Sequence, residues 1–215
     1  MNFFSTKINR PNKGYTIIET MIAISIFIVI VMAGMGALLN ANFVHNKSAD
    51  MRSIMDNLSF IMEDMSRNLR TGYDYKCLAN GTTPNAATVS SIPVTSSCAD
   101  SGGGIIFEQQ NGVREDPEVP GNENTGDQWV YYVGPNSSGT KSRLFRSTDG
   151  ANSFIALTPD EVDITFGSFV VSGAEPPPNA RQPFVQINLV GEIMYKGTPT
   201  PFSLQTSVSQ RRLDI

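Results

Sequence analysis

A run of twenty residues without a formal charge, from Thr20 to Leu39, follows directly after an acidic residue, Glu19. At ~1.5 Å per residue, a helix of this length measures about 30 Å, which matches the hydrocarbon core of a bilayer. A charged side chain inside that core costs at least ~2.5 kcal/mol. The sequence therefore predicts one membrane-spanning helix. The carboxylate of Glu19 at its start is expected to have a specific function, because a charge there is energetically costly.

The charges on either side of this run predict its orientation. Lys7, Arg10 and Lys13 precede it, and the first cationic residue after it is Lys47. Because cytoplasmic flanks carry the excess of cations, we expect a cytoplasmic N-terminus and an exported C-terminal part. A secretory signal peptide is the alternative, but it needs a shorter apolar stretch followed promptly by a cleavage site of small residues.

An apolar stripe continues the helix beyond the uncharged run. Residues along it recur at spacings of three and four, which is one face of an α-helix: Met51, Ile54, Leu58, Ile61, Met65 and Leu69. No proline interrupts the segment, and Gly72 offers a C-terminal stop. We predict a single helix from near Tyr15 to about Thr71, apolar all round in its first half and amphipathic in its second.

Short β-rich runs separated by turn residues follow the helix. They are GIIFEQ, QWVYYVG, SRLFRST, SFIAL, EVDITFGSFVVSG, FVQINLVGEIMYKG and FSLQTSVSQ. Apolar and polar residues alternate in several of them, as in an antiparallel sheet with one buried and one wet face. The predicted fold is α+β, with the helical stripe covering that sheet and loops at 77–104, 111–127 and 173–182.

Charge and cysteine content narrow the possible functions. The formal net charge is −4, and the cations before Tyr15 make the remainder more acidic still, which gives no support for nucleic acid as the primary partner. Cys77 and Cys98 are the only cysteines and lack metal-binding spacing. In an exported domain they can form a disulfide; two separate thiols are the alternative.

Catalytic and metal-binding motifs are absent from the sequence. The single histidine, His45, falls at the membrane edge of the predicted helix, and no nucleophile elbow, zinc-protease or phosphate-loop motif occurs. The acidic stretch REDPEVPGNENTGD could offer oxygens to Ca²⁺ but lacks the regular spacing of an EF-hand, so a solvated loop is favoured. We therefore predict no enzyme, no cofactor and no metal site.

The N-terminal residues KGYTIIE, followed by the uncharged helix, resemble the class III signal of type IV pilins and type II secretion pseudopilins. This resemblance implies cleavage after Gly14 by a prepilin peptidase, N-methylation of Tyr15, and a role in assembly for Glu19 at its spacing from Thr16. Most relatives carry phenylalanine where this chain has Tyr15.

Glu19 has a physical reason to be retained if the chain is cut there. Cleavage creates an α-amine on Tyr15, about one helical turn from the carboxylate. As subunits pack, the amine of an entering subunit can pair with the carboxylate of a neighbour, and an unpaired buried charge disfavours the wrong stagger. Glu19 would then set the register of a filament; without polymerisation it would simply lie at the membrane interface.

Two glycines mark a second feature of the helix. Gly34 and Gly36 lie where many pilins have a helix-breaking proline, and each costs ~1 kcal/mol of helix propensity relative to alanine. We predict a weak point in the assembled fibre there. The alternative is that small residues allow close packing of helices.

The strand pattern over 103–212 also resembles W-type minor pilins and the J-type minor pseudopilin. This resemblance implies a low-abundance subunit that primes assembly or lies near the tip of the fibre. The predicted organisation is a leader (1–14), an assembly helix (15–42), its amphipathic continuation (43–72) and an exported β-rich domain (73–215). Implied partners are the peptidase and methyltransferase, other pilin subunits, the inner-membrane assembly platform and lipid. A membrane-anchored binding module that never polymerises is the alternative.

Overall fold

One long helix and two antiparallel sheets make up the protein. The computed structural model describes residues 14–92, 95–112, 125–175 and 181–211. By its internal contacts the chain divides into two units, Met1–Ala49 and Asp50–Ile215. Helix α1 (Ile17–Thr71) supplies the regular structure described in the first unit and continues into the second. All other described elements belong to the second unit, so the predicted α+β composition is confirmed.

Local chemistry sets the beginning of α1. Thr16 occupies the N-cap position, and its Oγ1 accepts a hydrogen bond from the Glu19 N–H at 3.3 Å, which satisfies one of the unpaired donors of the first turn. Glu19 therefore lies in the first turn, where its negative charge interacts favourably with the positive end of the helix dipole.

Packing, more than backbone conformation, explains the glycine after α1. A Cβ at Gly72 would lie 2.5 Å from Cδ2 of Phe107, so a side chain there would displace the ring. The hydroxyl of Tyr75 donates to the carbonyls of Leu69 and Gly72, which satisfies acceptors that the end of the helix leaves open. The predicted stop is therefore in the right place, but it depends on contacts with the strands.

The second half of α1 buries one face within the second unit. Its buried residues are Leu58, Met62, Met65 and Leu69. Four more pack against the same core while partly exposed: Met51, Ile54, Met55 and Ile61. All six residues of the predicted stripe are thus on the packed face, and Met62 joins them because it follows Leu58 by four residues.

The strands form two antiparallel sheets. The first has the order β1 (Tyr73–Leu78), β3 (Gly104–Glu108), β4 (Trp129–Pro135), β5 (Ser142–Ser147) and β6 (Ile155–Ala156). The second has the order β2 (Cys98–Gly102), β7 (Val162–Ser172), β8 (Phe184–Tyr195) and β9 (Thr198–Ser209). A short helix, α2 (Ala86–Ser90), and a 3-10 turn at Thr125–Asp127 complete the described elements.

The prediction of a single sheet was wrong, because the strands form two. The predicted alternation of a buried and a wetter face is confirmed for β8 of the second sheet, where Val185, Ile187 and Leu189 are buried and the residues between them are partly exposed. It does not hold for the first sheet.

All five residues of β3 are buried, because its two faces contribute to different apolar clusters. Ile105 and Phe107 join the main core beneath α1, whereas Ile106 joins a second cluster with Val89 of α2 and Val130. The first sheet is therefore covered on both faces.

The region 77–104 was predicted as a loop, and this was also wrong. It contains part of β1, α2 and β2. Asn85 caps α2 through a reciprocal pair of hydrogen bonds with Thr88, and Val89 is buried beneath it. The segment gives no periodic signal because α2 is only five residues long and β2, with the sequence CADSG, has little apolar content.

Candidate functional site

The N-terminal end of α1 presents an accessible peptide bond and a carboxylate within six residues. Gly14 and Tyr15 precede the helix, and the side chain of Tyr15 is 82% exposed. Thr16 and Glu19 are both exposed and are joined by the N-cap hydrogen bond. That bond uses the backbone N–H of Glu19, so the carboxylate itself is not consumed by capping and remains available to another group.

The helix that follows exposes an apolar surface along its first half. It is long and apolar enough to cross a membrane, and it is the one such helix in the described part of the chain. Its large exposed side chains include Ile18, Met21, Ile22, Phe27, Ile30, Met32, Met35, Leu38 and Leu39. An exposed apolar surface of this extent is typical of a segment that lies in lipid or against another apolar surface.

Gly34 and Gly36 lie in the unbroken part of this helix. No described atom outside the local backbone lies within 4 Å of the position that a Cβ would occupy at either glycine. Each therefore leaves a small exposed notch on the helix. A weak point in a fibre and close packing against another helix both remain predictions for these residues.

Cys77 and Cys98 are bonded as a disulfide. Their Cα atoms are 5.6 Å apart, within the usual range for such a bond. Cys77 lies in β1 and Cys98 in β2, so the bond connects an edge strand of the first sheet with an edge strand of the second. Cys98 is buried in the main core, and Cys77 packs against it.

A buried carboxylate at the end of β3 was not found from the sequence. Glu108 is only 3% exposed, and no described group donates a hydrogen bond to its Oε2. Desolvation raises its pKa to about 7, with smaller contributions from Asp127 and Asp74; a hydrogen bond from Gln128 and the charge of Lys76 oppose the shift. The residue ends a strand, where a glutamate is usually solvated, so its burial has no sequence signal.

Stability should fall as the pH rises through the range in which Glu108 ionises. Its folded-state pKa is about 7 and its ordinary value is 4.5, so the stabilising contribution is complete below 4.5 and lost above 7. From pH 5 to pH 8 we expect the unfolding free energy to drop by about 2 kcal/mol more in the wild type than in Glu108→Gln. Urea unfolding of the detergent-solubilised chain, followed by the fluorescence of its single tryptophan, measures this.

Glu161→Gln is the matched control for this experiment, because Glu161 is an exposed carboxylate in the same unit. Its pH dependence should follow the wild type. Equal pH profiles for Glu108→Gln and the wild type would contradict the assignment.

Among the described residues, no group of three or more histidine, cysteine, aspartate or glutamate side chains could hold a metal ion. Most of the acidic stretch weighed as a calcium site lies outside the described residues, and the side chain of His45 is exposed on α1. The site that the chain presents is thus the N-terminal segment Gly14–Glu19 with its apolar helix. Comparison of the chain with family models, curated proteins and solved structures finds no significant match to any of them.

Proposed function

We propose that the protein is a structural subunit of a type IV pilus or type II secretion filament, and that it is a minor pilin or pseudopilin. The observation that carries the proposal is a carboxylate, Glu19, exposed in the first turn of a membrane-length apolar helix and left free by the N-cap bond. The KGYTIIE motif at its start supports processing after Gly14.

In this proposal the chain first enters the cytoplasmic membrane with its N-terminus inside. A prepilin peptidase then cuts the accessible bond after Gly14, and the new amine of Tyr15 is methylated. The chain leaves the bilayer when its apolar helix packs among those of other subunits, which replace lipid as the apolar surroundings. The exported second unit remains on the filament surface, near the tip.

Glu19 acts as a register element during this transfer. In lipid or in a bundle of apolar helices its charge is stable only beside a partner of opposite charge. The α-amine of a neighbouring subunit provides such a partner at one stagger of the two helices and at no other. The ion pair between Glu19 and this α-amine therefore contributes more to fixing the axial position of one subunit against the next than to the overall stability of the helix bundle.

The mature N-terminus tests the proposal most directly. Intact mass spectrometry of the protein isolated from its natural host should show loss of residues 1–14 and the mass of one methyl group on Tyr15. A chain that begins at Met1 in every fraction, membrane and filament alike, would contradict the proposal and leave a membrane-anchored binding module as the better description.

A further inference from the structure

Two arginines line one depression of the second unit, which we call the arginine depression. It has a volume of about 380 Å³. Its lining consists of Arg70 near the end of α1, Gln182 before β8, Ser209 at the end of β9, and Gln210 and Arg211 after it. None of these five residues has an acidic or an apolar side chain. The depression therefore offers two positive charges among neutral polar groups.

The two guanidinium groups have no carboxylate partner in the described part of the chain. Three other arginines each form an ion pair with an aspartate or a glutamate: Arg67, Arg143 and Arg146. Arg70 and Arg211 form no ion pair with a described residue. Both residues are exposed, so a ligand in the depression can reach their side chains.

Backbone hydrogen bonds hold the two arginines side by side. The N–H of Arg211 donates to the carbonyl of Arg70 at 2.8 Å, and the N–H of Gln210 donates to the carbonyl of Pro183 at 3.0 Å. The side-chain amide of Gln182 donates to the carbonyl of Gln210. The Arg70 carbonyl lies at the negative end of the helix dipole, and its bond to Arg211 reduces the repulsion that an anion would meet there.

The chemistry of the lining favours a carboxylate on a polypeptide. The planar fork of a guanidinium fits a carboxylate or a phosphate equally well. Gln210 adds an acceptor, because it is 5% exposed and its Oε1 has no hydrogen-bond partner among the described residues. A phosphate at neutral pH carries mainly acceptors, whereas a polypeptide has an N–H donor within one residue of each carboxylate.

A second copy of the chain does not suit the arginine depression. In a two-fold contact the same patch of both copies meets itself. Such a contact would bring Arg70 and Arg211 of one copy against the same two residues of the other. Four unpaired guanidinium groups would then lie together without an acidic side chain in the lining, and like charges in contact disfavour association.

We propose that the arginine depression binds an acidic segment of a different polypeptide, with a carboxylate of that segment bridging Arg70 and Arg211. The two guanidinium groups supply charge and paired donors, and the backbone N–H beside the carboxylate supplies the donor that Gln210 lacks. The inference does not rest on the proposed filament role, because every residue of the site belongs to the second unit.

A synthetic peptide tests this site. The probe alternates glycine with three glutamates and carries an uncharged fluorophore, and the comparison peptide has glutamine in place of each glutamate. Fluorescence anisotropy with the full chain in an uncharged detergent should show saturable binding of the probe, at least tenfold tighter than that of the comparison peptide. Arg70→Gln and Arg211→Gln should each weaken binding of the probe about tenfold, because each removes a charge-assisted hydrogen bond.

Arg52→Gln is the matched control, since Arg52 is an exposed arginine of α1 that forms no ion pair with a described residue. Its affinity for the probe should remain within about twofold of the wild type. Arg211→Lys keeps the charge but loses the planar fork, so it should weaken binding about threefold. Inorganic phosphate should displace the probe no better than chloride at equal ionic strength.

Four results would overturn the proposal. The first is absence of saturable binding to the wild type, and the second is an equal loss of affinity in Arg52→Gln, which would show unspecific attraction. The third is displacement of the probe by inorganic phosphate at equal ionic strength, because the site would then take phosphate groups. The fourth is self-association of the detergent-solubilised chain that Arg211→Gln abolishes, because the occupant would then be a second copy.

Discussion

Replacing Glu19 by alanine is expected to reduce the amount of this protein in filaments at least tenfold while leaving its amount in the membrane unchanged or higher. Removing a charge from the apolar helix favours insertion, because a charged side chain at bilayer depth costs at least ~2.5 kcal/mol. In the proposed filament, removing this charge would have the opposite effect, since the α-amine of a neighbouring subunit would lose its partner. A buried charge left alone costs on the order of 3–5 kcal/mol.

The geometry of the first turn separates this effect from damage to the helix. The N-cap bond joins Thr16 Oγ1 to the backbone N–H of Glu19, and alanine keeps that N–H. Thr16→Ala removes the cap instead, at a cost of about 1 kcal/mol, and leaves the carboxylate in place. If Glu19 sets the register, Glu19→Ala should impair incorporation into filaments far more than Thr16→Ala.

Asp56→Ala is the matched control on the same helix, since Asp56 is an exposed carboxylate in the second half of α1. The ratio of filament to membrane protein, quantified by immunoblotting of sheared filaments and membranes, should match the wild type for this variant. Wild-type incorporation of Glu19→Ala would leave Glu19 as an interfacial charge and favour the anchored binding module.

Sequence reasoning succeeded where structure is determined locally. The bounds of α1 were predicted from the absence of proline, the spacing of apolar residues and Gly72, and the observed helix agrees with them within two residues at its start. The seven β-rich runs correspond to β3 through β9, because alternation within a strand is a property of a few consecutive residues.

Elements that depend on distant partners could not be predicted. The sequence of β1, YDYKCL, alternates aromatic and charged residues, but its burial does not follow that alternation. Asp74 has a φ of +52° and the register shifts before Lys76, which is buried. Strand β2 has a strand conformation because it pairs with β7. The division into two sheets and the burial of Glu108 both depend on strand order, which the sequence pattern does not specify.

The same limit applies to the candidate site. Thr16 and Glu19 are three residues apart, so their proximity in the first turn of a helix follows from the sequence. The burial of Glu108 has no such signal, because it depends on β1 and β4, the strands that pair with β3 on either side.

Loss of the disulfide is the second large effect that we expect. Cys77→Ser, Cys98→Ser and the double variant should each lower the unfolding free energy by about 3 kcal/mol, the loop-entropy value for a bond of this span. The bond spans 21 positions and connects β1 of the first sheet to β2 of the second. Without it, two edge strands from different sheets are held together only by noncovalent packing.

The double variant distinguishes the bond from the packing of two separate thiols. If the stabilisation comes from the disulfide, either single substitution already removes it, and the double variant should be no less stable than the single ones. If two separate thiols contribute by packing, the two losses should add. Urea unfolding of all four proteins in detergent, without reductant, measures the cycle.

Reductant gives an independent test, because it breaks the bond without changing a residue. It should lower the stability of the wild type to about that of the double variant and leave the double variant unaffected. An oxidised bond in protein taken from the host also places the second unit outside the cytoplasm, since reducing compartments do not maintain such bonds. Wild-type stability that does not respond to reductant, together with additive losses, would contradict the bond.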